Sequence, residues 1–239
     1  MPDYRDFNRI ERITRIEGAL VNETPLRVGT GGEPLIGAPV DIAVYRIDDI
    51  PVIPGSSLKG VFRAYIESIA PTLGFRDVHS PWDHERIEEE AGERGGKVDF
   101  CPICGIFGNT KLASHVKVYD AYPRDPEEAK RSFIKTGIGI DRVFGAVRPG
   151  IGPFKEEFLR PGLEWDFKMD VINIQLYPKP GDLRGEMLRT LLNTLSDIGL
   201  QVGARKSVGA GLMRLREGRW ILYTIREGRI ERTEEGSLQ

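Results

Sequence analysis

Two stretches of this chain carry an apolar stripe at helical spacing, and segments with strand-like alternation bracket each of them, an order that leaves few folds open. In PGSSLKGVFRAYIESIAPTLG, residues Leu58, Val61, Phe62, Tyr65, Ile66 and Ile69 fall on one face of a helix. Ser56 or Ser57 can cap its start, and Pro71 with Gly74 ends it. In GDLRGEMLRTLLNTLSDIG, residues Leu188, Leu191, Leu192, Leu195 and Ile198 repeat the spacing, with Gly199 past the end. Strands are expected at Arg15 to Leu20, His115 to Tyr122 and Trp165 to Val171. LMRLREGRWILYTIREGRIER reads as strands joined at its Glu-Gly pairs, and the polar tail TEEGSLQ reads as loose.

The order strand, helix, strand, strand, helix, strand predicts an α+β fold. Its core would be a ferredoxin-like (RRM-like) βαββαβ unit, an antiparallel sheet with both helices on one face. A single domain over residues 1–239 is expected, with large insertions at about 22–55, 72–113 and 123–162.

With 40% hydrophobic and 29% charged residues the chain can build a sizeable core. No run approaches ~20 apolar residues, so no membrane span is expected. MPDYRDFNRIER lacks the apolar centre of a secretory signal, and two cysteines make no disulfide framework. Cytoplasmic residence follows as the expectation. A net charge of -2 argues against bulk coating by nucleic acid. Much of the acid, however, sits in DHERIEEEAGE (Asp83 to Glu93), and the remainder is net basic. Arg outnumbers Lys, which suits bidentate phosphate contacts and suits surface ion pairing equally well.

Four motifs could carry chemistry. In GLQVGARKSVGAGL, Gly203, Gly209 and Gly211 free the backbone while Arg205, Lys206 and Ser207 offer donors, a pattern that cradles phosphate or simply turns the chain. In PGSSLKG, Gly55, Ser56, Ser57 and Lys59 open a helix whose N–H groups can meet a phosphate, with Arg63 one turn beyond Lys59; ordinary capping reads the same residues. The spacing is not that of a Walker A loop, which excludes nucleotide hydrolysis by that device. His79, His84, Cys101 and Cys104 form a third set, the cysteines as CxxC in CPICG. Two thiolates and two imidazoles complete a tetrahedral Zn²⁺ site, and a polar insertion needs such a staple most; a redox or incidental CxxC is the other reading. His115 lies on an apparent strand and reads as structural. Asp41, between apolar neighbours in the loop LRVGTGGEPLIGAPVDIAVYRIDD, could bind a divalent ion or assist a 2′-hydroxyl in attacking its own phosphodiester, or could be a turn residue.

RIEGALVNETPLRVG, GAPVDIAVYRIDDIPVIPGSSLKGVFR, CPICGIFG, GIGIDRVFGAVRPG and GARKSVGAGL occur in this order from about Ile16 to about Leu215. Together they resemble the RAMP superfamily of CRISPR-associated proteins, and more narrowly the backbone subunit of type III effector complexes. The resemblance implies subunits that bind CRISPR RNA, associate with other RAMP subunits and self-associate into a helical filament. It implies a thumb hairpin within residues 137–162, after Ile140-Asp141-Arg142, with Arg142 at the RNA. It places the aspartate that cleaves single-stranded target RNA at Asp41, and it implies zinc in the Cys/His insertion; oxygen ligands at Asp41 would take Mg²⁺ or a similar divalent ion for cleavage. Two rivals stand beside this reading: a purely structural RNA-binding subunit in which Asp41 is inert, and an endoribonuclease that processes repeat RNA.

Overall fold

The structure, a computed structural model, describes residues 3–29, 40–92, 94–96, 98–150, 153–226 and 228–238. Residues 30–39, much of the glycine-bearing loop expected at 22–55, lie outside the described residues. In chain order the elements are β1 (Arg12–Asn22), β2 (Arg46–Ile47), β3 (Ile50–Pro51), α1 (Gly55–Ile69), α2 (His84–Glu90), α3 (Pro102–Phe107), β4 (Val116–Val118), α4 (Pro126–Ala129), β5 (Ser132–Gly137), β6 (Phe154–Leu159), β7 (Glu164–Ile172), α5 (Leu183–Asp197), β8 (Leu200–Gln201), β9 (Leu212–Arg226) and β10 (Arg229–Ser237).

The main sheet runs β10-β9-β1-β7-β4, with β8 on β9, and every pairing is antiparallel. Ile16 lies opposite Met169 and Trp220, and Leu20 opposite Trp165 and Leu215, so one parity of side chains makes a continuous apolar face. The stripes of α1 (Leu58, Phe62, Ile66) and α5 (Leu188, Leu191, Leu192, Leu195) are buried in the same cluster. Phe62 meets Phe167 edge-on, ring centres 6.1 Å apart. Truncating a ring packed this tightly costs ~3–5 kcal/mol. This mixed architecture is compatible with the expected ferredoxin-like fold.

Four local expectations are corrected. No hydroxyl caps α1: Pro54 holds the N-cap, and the Gly55 N–H donates instead to Asp120 Oδ1 at 2.7 Å. The strand expected at His115 to Tyr122 shortens to β4, after which single bonds such as Tyr119 N–H to Lys168 O continue along β7. The first Glu-Gly pair does not turn the chain. β9 passes through Glu217-Gly218 as a bulge opposite Gly18, with Glu217 at φ 52°. The tail is not loose, since residues through Ser237 form β10 along the edge of β9.

On the sheet's opposite face charges pair with one another. Arg15 forms a bidentate bond to Asp170 at 2.7 and 2.9 Å, and the Tyr119 hydroxyl donates to the same carboxylate at 2.8 Å. Burial alone would raise the pKa of Asp170, but these bonds outweigh it and hold it low. Arg124 binds Asp166, Glu164 and Glu217, and Arg219 binds Glu17.

Candidate functional site

The glycine loop sits where β8 turns into β9. A Cβ on Gly203 would lie 2.1 Å from Arg27 O, and one on Gly211 2.0 Å from Val202 O, both at positive φ, so only glycine lets these segments close. The loop's crest, a 3₁₀ turn at Lys206–Val208, is exposed, leaving Lys206 and Ser207 facing solvent. Arg205 is more committed: it binds Glu156 Oε2 at 2.9 Å and lies 5.0 Å over the Phe154 ring. The buried Arg27 binds the same carboxylate from the other side.

A strap of short bridges links this loop to α1. Ala204 N–H donates to Arg27 O, Tyr45 N–H to Val28 O, Val52 N–H to Tyr45 O, and Ile53 pairs with Ala121 just before the Pro54 cap. Asp48 and Asp49 form the tight turn between β2 and β3, both at positive φ. Glu157 pins the strap to β6. Its carboxylate accepts from Val44 N–H at 2.9 Å, from Arg46 at 2.5 and 2.9 Å, and from Ser132. Burial raises the pKa of Glu157, but these donors prevail and take it down to about 2.

Asp41 is exposed at the neighbouring step of β6. Its N–H donates to Lys155 O at 2.9 Å, and its Oδ2 accepts the Lys155 N–H at 2.6 Å. Asp41 and Arg205, distant in sequence, therefore meet consecutive residues of one strand. From there β5 and β6 extend as a hairpin whose loop carries exposed Val143 and Phe144, at 84% and 83%, with Arg142 beside them. Asp141 Oδ1 accepts the N–H groups of Val143 and Phe144 and shapes that tip.

At the α1 start, Gly55 is required by packing: a Cβ there would lie 2.2 Å from Val118 O. Ser56 is exposed, and the half-buried Ser57 donates its N–H to Pro54 O at 3.0 Å. Lys59 is half-buried, and desolvation together with neighbouring Arg63 lowers its pKa. Arg63 is drawn inward, to Glu67 Oε1 and Gly108 O at 2.8 Å and toward Cys104 Sγ at 3.7 Å.

The metal-type residues come together with one substitution. His79, Glu90, Cys101 and Cys104 each aim one ligand atom into a group within 4.8 Å, whereas His84 stands exposed at the first residue of α2. The zinc set of two histidines and two cysteines is thus corrected to one histidine, one glutamate and two cysteines. Glu90 is hidden in sequence by the acidic run around it; the clue is its place three residues after Ile87, on the buried side of α2.

The donor chemistry fits Zn²⁺. His79 Nδ1 is held 3.0 Å from Ser80 O, which leaves Nε2 for the centre, 2.9 Å from Glu90 Oε1 and 3.7 Å from Cys104 Sγ. Glu90 Oε2 is buried with no partner among the described residues. Bonds from Cys101, His79 and Asn109 overcome burial and lower the Cys104 thiol to about 4, while Cys101 is pushed up by Cys104 and burial. Cys104 and Glu90 in turn lift His79 to about 10. Four donor atoms from three segments thus converge on one small pocket, the arrangement that a tetrahedral metal ion takes. His115 is structural as expected: fully buried, its Nε2 is 2.8 Å from Asp6 Oδ1, and burial lowers its pKa.

A helix-backed antiparallel sheet, with an exposed glycine crest and an apolar-tipped hairpin beside it, defines a protein of the α+β class. A family model described as the RAMP superfamily matches residues 20–214, and the chain belongs to that family. Membership gives it a CRISPR-associated, RNA-binding role, in association with CRISPR RNA and other CRISPR-associated subunits. No curated protein matches the chain. Among the described residues, no helix is long and apolar enough to cross a membrane.

Proposed function

We propose that this chain is the backbone subunit of a type III effector complex, a cytoplasmic protein that assembles along a guide RNA and cleaves the target RNA paired to it. In this reading β1, α1, β4, β7, α5 and β9 are the ferredoxin-like βαββαβ core of a single domain, and the three insertions are the Asp41 loop, the zinc-bearing lobe and the thumb. Lys206, Ser207 and Arg205 of the glycine crest, with Gly203 shaping it, hold guide phosphates, and Ser56 and Lys59 hold others. Gly55, Ser57 and Arg63 serve chiefly to build that surface. The thumb carries Arg142 and an apolar tip that separates segments of guide and target.

One observation carries the reading. Asp41 and the glycine crest flank the first residues of β6, the strand that becomes the hairpin. A strand gripped at the crest and crossed by the hairpin passes the exposed carboxylate. There the 2′-hydroxyl oxygen attacks the adjacent phosphorus in line, its proton going to the carboxylate, and the 5′-oxygen leaves and takes a proton from water; the products are a 2′,3′-cyclic phosphate and a 5′-hydroxyl. Asp41 keeps Oδ2 on the Lys155 amide and has Oδ1 to offer. A single carboxylate of this kind suits Mg²⁺ shared with RNA phosphates, and the ion would neutralise charge developing on the phosphate.

The inert-aspartate reading draws on the same Lys155 bond, because a residue that only clamps a loop would look alike. Replacement separates the two. In the complete complex, Asp41→Ala is expected to keep guide binding and assembly and to lower target cleavage by roughly 100-fold or more. Undiminished cleavage at regular intervals would remove Asp41 from the mechanism. Sequencing of RNA that copurifies with the native complex tests the larger claim: repeat-derived guides support it, and their absence overturns it.

A further inference from the structure

Beside α1, a groove of about 670 Å³ opens between Ser56, Lys59, Pro81, Trp82, Phe107 and Leu112. Trp82 is 74% exposed there, while Trp165 and Trp220 are 0% and 9% exposed. An indole left this bare beside an apolar surface covers nothing of its own chain. Lys59 reaches the same groove half-buried, with no acid opposite it among the described residues and with Arg63 as a like-charged neighbour. A desolvated ammonium without a counter-ion is costly and is relieved by an anion. A flat apolar face and an unmatched cation in one groove fit a nucleotide, whose base stacks on the ring while its phosphate meets the ammonium. An apolar peptide would satisfy the indole and bury the charge further.

We propose that Trp82 is a stacking platform for an unpaired base of bound single-stranded RNA, with Lys59 taking the adjoining phosphate. This rests on the RNA-binding reading and adds to it a base-contacting residue in the zinc-bearing lobe. The full chain is titrated with fluorescently labelled oligouridylate, following both RNA anisotropy and tryptophan emission. RNA is expected to quench the red-shifted emission of the exposed indole. Trp82→Ala is expected to weaken binding by roughly 5- to 150-fold, the usual range for loss of one stacked base. Trp82→Phe should lose the quench yet recover most of the affinity, which a folding defect would not do. Wild-type binding with unchanged emission, or full affinity in Trp82→Ala, overturns the proposal and leaves RNA binding intact. Quenching by a companion subunit and not by RNA overturns it in favour of a protein partner. Failure of the wild-type chain to bind RNA overturns both readings.

Discussion

At the scale of single residues, the comparison that matters most is His84 with Glu90. Sequence reasoning favours histidine beside CxxC because imidazole is the commoner zinc partner, and in a run such as DHERIEEEAGE one more glutamate looks like solvated surface. The fold reverses this. His84 begins α2 on its exposed side, while Glu90, at the other end, turns inward beside Cys101 and Cys104. A buried carboxylate oxygen without a donor is hard to account for unless a cation meets it. Elemental analysis of protein purified without added metal is therefore expected to find stoichiometric zinc in wild type and in His84→Ala, and a large loss in Glu90→Ala. Equal zinc in all three would place the metal elsewhere, and zinc lost in His84→Ala alone would restore the histidine pair. The Cys101 and Cys104 positions were legible from their spacing because CxxC at a helix start directs both sulfurs to one side; the glutamate was not, because what selects it is burial.

At the scale of elements, the strap between the glycine loop and α1 depends on one side chain. β2 and β3 are two residues each, too short to hold themselves, and the Glu157 carboxylate gathers Val44, Arg46 and Ser132 onto β6. Its pKa falls from an ordinary 4.5 to about 2 on folding. A depressed carboxylate contributes stability that is fully present above its unfolded pKa and is lost as pH falls through the folded one. The window thus runs from about pH 4.5 down to about pH 2, with an amplitude of about 3 kcal/mol. Urea unfolding across that range is expected to show wild type losing this increment and Glu157→Gln, already weaker at neutral pH, losing much less. Parallel slopes for the two proteins would rule Glu157 out as the clip. The long elements α1, α5, β1 and β7 were readable because their periodicity spans many residues, and tertiary contact only adjusted their ends. The strap was not readable, because its geometry is set by a glutamate more than a hundred residues away. The Glu217-Gly218 bulge shows the same limit: Glu-Gly is a sound turn signal, but opposite Gly18 the long ladder to β1 carries the strand through.

At the scale of the whole molecule, a chain of net charge -2 must still hold a polyanion, and the structure shows how the charges are apportioned. On the open face of the sheet Arg15, Arg124 and Arg219 are bound by carboxylates, so these cations are largely spent within the fold. At the crest Lys206 faces solvent, as does Arg205 in part, which can keep Glu156 and still accept a phosphate. Arg63 belongs to the other group, since it braces Gly108 and Cys104; its replacement is expected to weaken the lobe that carries the Cys/His/Glu group as well as RNA binding, whereas Lys59→Ala acts on binding alone. Phosphate contacts reveal themselves through released counterions, each worth about 0.7 in the slope of log affinity against log salt for a single strand. Arg205→Ala with Lys206→Ala should therefore lower that slope by up to about 1.4, and by the same amount for guides of unrelated sequence. An unchanged slope would mean that the crest faces a protein neighbour. A loss confined to one sequence would mean that bases, not phosphates, are read there, because a backbone contact has no means of telling one letter from another.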